Sequence, residues 1–337
     1  MLLLAVGAIA QTKPDMNALK HFYDFELTGS AFDLVSGADG WIENLIGEVE
    51  VVNNAVIEGG LLDLSSEGFL ALPGDSIKIN SFPELTVEIW CTPNKAANDG
   101  KALMLWSFGR YGNPGFYYLF FTPARWGVNV AARMSVGPSE PWANEQGLSF
   151  DADIATDVLS HYVLTINAER VMTLYVNGEV MEYDVDGTLV AAKDTLTGNH
   201  LLDSVAIDNA FIGRSMYSPD PTWTGTVDLY SIWDAALSPN EVKWLFEQGS
   251  KRELPVENSV SSRKPVANIR AFVTNNHLYV NAEDTNNLSV TIFNALGTAV
   301  YHTRNFQNGQ HLNLRPGMYV VRVGANSGAT VQKVIIR

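Results

Sequence analysis

Of 337 residues only Cys91 is a cysteine, which excludes an internal disulfide framework and a cysteine-based zinc centre. Beyond residues 1–10 no segment is long and apolar enough to be transmembrane, and that run is itself too short to span a bilayer as a helix. Basic residues are scarce: 22 Lys and Arg against 37 Asp and Glu leave a net charge of -15. Nucleic acid is therefore excluded as a partner, since neutralising phosphates needs a basic surface. Long helical periodicities are missing, as are G-x-S-x-G, H-E-x-x-H and the P-loop. The six histidines, His21, His161, His200, His277, His302 and His311, stand singly, without ligand spacing.

What is present is glycine (27), proline (14), a 10% share of aromatics and an apolar share of 46%, the profile of a soluble all-β protein with many turns. Residues 85–91 (LTVEIWC) alternate, with Leu85, Val87, Ile89 and Cys91 on one face and Thr86, Glu88 and Trp90 on the other. Asn177-Gly178 predicts a type I′ hairpin that sets Val176 opposite Glu179. Continued to Val185, that ladder puts Met172, Leu174, Val176, Met181, Tyr183 and Val185 on one face, leaving Glu182 and Asp184 on the other. Residues 226–233 alternate too, with Val227, Leu229, Ser231 and Trp233 on one side. Then the period changes: Ser238, Pro239 and Glu241 form an N-cap, an N1 proline and a capping-box partner, Val242, Leu245 and Phe246 share a helical face, and Gly249 stops the helix.

The stretch 106–142 is the most aromatic. Tyr118 to Phe121 reads as core strand, but Tyr111 lies in a Gly/Pro-rich turn and Trp142 in a Pro-Trp-Ala-Asn loop. With Trp126 they are ligand candidates, because a sugar ring stacks on an exposed aromatic while amide and acid groups fix its hydroxyls. Glu182 and Asp184 join them if their face lines the concave side.

Three spaced elements, Ile212-Gly213-Arg214, Trp223-Thr224-Gly225-Thr226-Val227-Asp228 and Ala236-Leu237-Ser238 with Glu241, resemble the end of a laminin-G-like (LamG-like) jelly roll of the concanavalin A-like lectin/glucanase superfamily. Residues 21–27 with Asp33, Ser36 and Gly37, 59–64, 85–91 and the 161–182 hairpin resemble its earlier strands, though His161-Tyr162 replaces the usual Trp-His. The resemblance implies a β-sandwich over residues 18–249 that binds a glycan or glycoprotein. It also implies a structural Ca2+, with Asp33 and Asp228 as side-chain ligands supplemented by carbonyls near Gly37 or Asp39. A divergent glycan hydrolase or lyase and a protein-binding adhesion module are the alternatives. Retaining glucanases of the superfamily set two glutamates ~5.5 Å apart on one strand face. The nearest stretch, Glu182-Tyr-Asp184-Val-Asp186, ends in a shorter acid, so the chain reads as non-catalytic.

Residues 1–10 end in Ala8-Ile9-Ala10, as a secretory signal does, without the usual basic start. Residues 250–265 are polar, contain Pro255 and read as a linker. From Lys264 onward seven Lys and Arg face two Asp and Glu, so the tail carries +5 and the remainder -20 of the total. Seven short strands, at 269–273, 277–281, 289–293, 298–302, 311–314, 318–323 and 330–336, predict an immunoglobulin-like sandwich over 266–337. Leu278-Tyr-Val, Leu288 to Asn294, Leu314-Arg-Pro-Gly-Met-Tyr319 and Lys333-Val-Ile resemble the C-terminal sorting domain of the type IX secretion system. That implies a secreted or cell-surface protein whose tail meets the outer-membrane secretion machinery.

Overall fold

The computed structural model describes residues 12–47, 49–94, 101, 103–125, 129–137, 139–152, 155–252, 254, 269–274, 277–282, 288–294, 299–307, 310–325 and 328–336. Residues 1–10, read above as a signal, and most of the linker lie outside them. Two antiparallel sheets form the first domain. The nine-stranded sheet runs Glu179–Val180, Val171–Val176, Ser160–Ile166, Leu85–Pro93, Gly225–Trp233, Leu61–Asp63, Val56–Glu58, and Leu19–Tyr23 and Lys193–Thr195 pair onto it. The six-stranded sheet runs Gln146–Asp151, Asn129–Ser135, Phe116–Arg125, Trp106–Arg110, Asn209–Ile212, Leu70–Leu72. Leu85, Val87, Ile89 and Cys91 from one sheet meet Trp106, Phe108, Leu119, Phe121, Val130 and Ala132 from the other in a single buried core. This is the predicted all-β sandwich, and Cys91 is a buried free thiol in it, pushed up in pKa by burial and then by the Asp228 charge.

The nine-stranded sheet carries a second apolar layer on its outer side. The helix Pro239–Gln248 has the expected capping box, with Ser238 and Glu241 satisfying each other's backbone amides. Its Val242 and Leu245 pack against Trp90, Val163, Tyr175, Leu229 and Trp233, and Phe246 stacks on Trp90 at 5.6 Å. The hairpin glycine Gly178 serves two purposes. Its φ of 84° suits the I′ turn, and a Cβ there would stand 2.9 Å from Phe246 Cβ.

Beneath this layer Glu88, on the central strand, is fully buried and charged. Arg252 binds it bidentately at 2.6 and 2.5 Å, Ser231 donates at 2.6 Å and His161 Nε2 lies at 3.1 Å. Burial by itself raises a carboxyl's pKa, but Arg252 and His161 outweigh it and hold Glu88 well below the usual range. His161 is held below its ordinary value by burial, against the pull of Glu88. Glutamate, histidine and serine meet here with Glu88 between the other two, accepting from Ser231 on one oxygen and facing His161 with the other. Glu88, His161 and Ser231 are all fully buried.

Two registers differ from the expected ones. A bulge between Val227 and Leu229 puts Val227, Tyr230 and Ile232 in the inter-sheet core and Leu229 and Trp233 in the outer layer. One extra residue exchanges every face beyond it, so strict alternation from Val227 to Trp233 fails at Asp228. The hairpin opens as predicted, Val176 opposite Glu179, but its second strand leaves the sheet after Val180. Residues Glu182–Val185 pair instead with Thr188–Ala191 in a separate two-stranded ribbon.

The tail folds as seven strands in two sheets, Ile269–Thr274, His277–Ala282, His311–Leu312 and Ala299–Phe306, Leu288–Asn294, Gly317–Ala325, Gly328–Ile336, close to the predicted positions. It has its own core around Val290, Ile292, Val321 and Val323. Arg322, 5% exposed, crosses to the first domain. It pairs with Asp39 at 2.8 Å, donates to the Asp33 carbonyl at 3.1 Å and lies 4.2 Å from the centre of the Phe32 ring. Phe293 meets the same ring edge-on at 5.0 Å.

Glu88→Gln strands the Arg252 charge, so it should lower stability by ~3–5 kcal/mol in denaturant unfolding. The pH dependence has a defined sign. His161, held low, loses stability first as pH falls below ~6.5. Carboxylates with lowered folded values stabilise above their unfolded pKa and lose that contribution as pH falls, so Glu88 and Asp33 should produce a steeper drop in melting temperature below about pH 4. Glu88→Gln should flatten that acid limb.

Candidate ligand-binding face

Strand alternation gives the six-stranded sheet two unlike faces. Leu119, Phe121, Val130, Ala132, Ala210 and Ile212 turn inward, while Tyr118, Phe120, Ala131 and Phe211 turn outward. The centre of the outer face is filled: Phe69, Met104, Met216 and Ile46 pack over it. What remains is a rim of aromatic and polar side chains.

At one end Arg214, which follows the strand Asn209–Ile212, lies between the rings of Phe69 and Tyr111 at 5.0 and 5.2 Å. Its Nη2 donates to the Tyr111 hydroxyl at 2.7 Å. Tyr111 is half-buried and meets Phe211 edge-on. The neighbouring Gly112 bridges to Tyr217, whose hydroxyl is 3.2 Å from that of Tyr118. Tyr118 donates in turn to Glu145 at 2.6 Å. Burial, and then the Glu145 carboxylate, push the Tyr118 hydroxyl far above its ordinary pKa, so it stays a donor. Arg133 holds the same residue, with Nη2 2.5 Å from the Glu145 carbonyl.

The turn Pro141–Asn144 precedes Glu145 and carries Trp142, 56% exposed. The turn is held from several sides: Ser135 donates to the Pro141 carbonyl, Asn144 to the Ser139 and Glu140 carbonyls, and His200 Nε2 lies 2.7 Å from the Asn144 carbonyl. An open indole on a fixed turn is a preformed stacking surface.

Tyr111 and the turn that carries Trp142 thus lie at the two ends of a chain of contacts through Gly112, Tyr217, Tyr118 and Glu145. Trp126 lies outside the described residues. Glu182 and Asp184 are elsewhere: both are exposed, on the ribbon whose Tyr183 stacks on the core-facing Phe150 at 4.0 Å. Asp184 accepts from the Gly187 amide at 2.9 Å, and the ribbon closes the sandwich edge. Sequence reasoning missed Arg214, Tyr118, Glu145 and Tyr217. Arg214 was visible within Ile212-Gly213-Arg214 but read only as a fold marker; nothing in the sequence links Tyr118 to Glu145, 27 positions away.

The two aspartates expected at a calcium ion are separate. Asp33 Oδ1 accepts from the Phe22 and Val35 amides and Oδ2 from the Ser36 and Ala38 amides, each at 3.0 Å. His21 Nδ1 at 2.9 Å and the Ser36 hydroxyl complete the set. Burial raises its pKa, but His21 and these donors outweigh that and keep it ionised. A carboxylate so enclosed by donors has no lone pair to offer a cation, which wants ~6 oxygens. Asp228 accepts from Ser250 at 3.3 Å and lies 3.9 Å from Lys251. No group of three or more acidic, histidine or cysteine side chains suited to a metal occurs among the described residues. The residues present do not fit Ca2+ at Asp33 and Asp228. Melting temperatures with chelator and with added Ca2+ should therefore coincide; a rise with Ca2+, by mass action, would show a site elsewhere.

Known proteins resemble this chain in both domains. Residues 274–337 match the secretion system C-terminal sorting domain, and the chain is exported across the outer membrane. No curated protein matches the chain. Among solved structures, domain 4 of AbnA, a GH43 extracellular arabinanase from Geobacillus stearothermophilus, is 17% identical with a TM-score of 0.46, over 70% of this chain and 99% of that one. The Ruminococcus gnavus IT-sialidase CBM40 is 15% identical with a TM-score of 0.39, over 50% and 85%. The botulinum neurotoxin serotype D binding domain is 14% identical with a TM-score of 0.46, over 94% and 74%. Residues 64–243 match the concanavalin A-like lectin/glucanases superfamily, and the chain belongs to that family.

Proposed function

We propose that the jelly roll is a non-catalytic module that recognises glycans on the rim of its six-stranded sheet, carried to the cell surface by the sorting tail. The observation that carries this reading is Trp142, a fixed and mostly exposed indole at one end of a line of side chains that reaches Tyr111. A sugar ring stacked on the indole would leave its hydroxyls to be fixed by polar groups of the same rim. The acids nearest to a glucanase pair, Glu182 and Asp184, stand on a solvent-facing ribbon, which supports recognition rather than hydrolysis.

On a glycan array the Trp142→Ala/Tyr111→Ala double variant should lose binding by about tenfold or more, equivalent to ~1.4 kcal/mol, while keeping its melting temperature within a few degrees. Hydrolysis of an oligosaccharide by the wild-type protein that disappears in Glu182→Gln would replace this reading with an enzymatic one. For the tail, removal of residues 266–337 should leave the protein in the periplasm in cell fractionation; undiminished surface delivery would show that export uses another signal.

A further inference from the structure

We infer that the glycan recognised on this rim is anionic, and that Arg214 is the residue that reads its charge. The inference rests on the glycan reading above and narrows it to sugars bearing a carboxylate or sulfate.

Arg214 is 7% exposed, as sequestered as the other buried arginines, yet it differs from them. Arg252 takes both oxygens of Glu88 and Arg322 takes Asp39. Even the less buried Arg133 has Glu145 at 3.6 Å. Arg214 pairs with no carboxylate among the described residues. Among the described residues its Nη2 donates to the Tyr111 hydroxyl, and its Nε is buried without a partner. Carboxylates are not scarce in a chain of net charge -15, so an acid could readily have been placed beside it. Two ring faces offset part of the burial of this cation, but an uncompensated guanidinium remains destabilising. A ligand carboxylate or sulfate would supply the missing partner, and the planar fork suits either.

The surroundings agree with such a ligand. Tyr111, whose ring covers one face of the guanidinium, is also a rim residue. The acid at the far end of the rim, Glu145, is bonded to Tyr118 and Arg133, so its charge is balanced and does not oppose an incoming anion. The arrangement is therefore a cation held in an aromatic frame, with a stacking indole farther along the same rim.

The test is an array of matched pairs: oligogalacturonate with its methyl ester, sialyllactose with lactose, and sulfated with unsulfated N-acetyllactosamine. The acidic member of at least one pair should bind about tenfold or more tightly, the scale of one charge-assisted bidentate contact. In Arg214→Met, which keeps an apolar stem between the rings, that ratio should fall to near one, with the melting temperature unchanged or raised. If Arg214→Met does not fold, Arg214→Lys keeps the charge but loses the fork, and should cut the ratio severalfold. Equal binding of both members that is lost in Trp142→Ala/Tyr111→Ala would overturn the charge inference and leave the glycan reading standing. A preference that survives both Arg214 variants would also overturn it, and failure to bind any pair would overturn both.

Discussion

The pairing of Glu88 with Arg252 is the constraint on which the first domain depends. A carboxylate at the centre of the nine-stranded sheet is tolerable only if a cation arrives to meet it, and that cation lies beyond the helix Pro239–Gln248. The helix must therefore lie across the outer side of the sheet for Arg252 to arrive. Trp90, His161 and Phe246 stack along that path, and Phe22 faces the guanidinium at 5.1 Å. One ion pair thus closes an apolar layer that would otherwise be an exposed sheet face.

The two sheets use their outer sides differently. On the nine-stranded sheet the buried charges are matched, and a helix seals them. On the outer side of the six-stranded sheet no helix packs among the described residues; side chains such as Phe69, Met104 and Met216 fill the middle, while the periphery keeps Trp142 open and Arg214 without a counter-charge among the described residues. The first side serves stability. The second retains unspent polar capacity, and the proposed recognition draws on it.

Much of the fold was legible because it depends on local pattern. Alternation in Leu85–Pro93, the Asn177-Gly178 turn, the Ser238–Glu241 cap and all seven tail strands follow from neighbouring residues. The failures are non-local. The bulge at Asp228 leaves no mark in composition, yet it exchanges the faces of Leu229 and Trp233. The departure of the chain after Val180 is set by Tyr183 stacking on Phe150, 33 positions earlier by residue number. For the rim, single aromatics such as Tyr111 and Trp142 could be nominated from loop composition, but the state of Arg214 depends on which acids fail to approach it. That is a property of the assembled surface alone.

The contact of Arg322 with Asp39 and the Asp33 carbonyl has a consequence for timing. The loop that Asp33 organises is synthesised well before its partner Arg322, which lies 289 positions later. That loop must wait, with Phe32 uncovered, until the strands carrying Phe293 and Arg322 have emerged. A docked tail therefore marks a chain whose first domain has already been made, and the domain that addresses the protein for export also covers a surface made long before it.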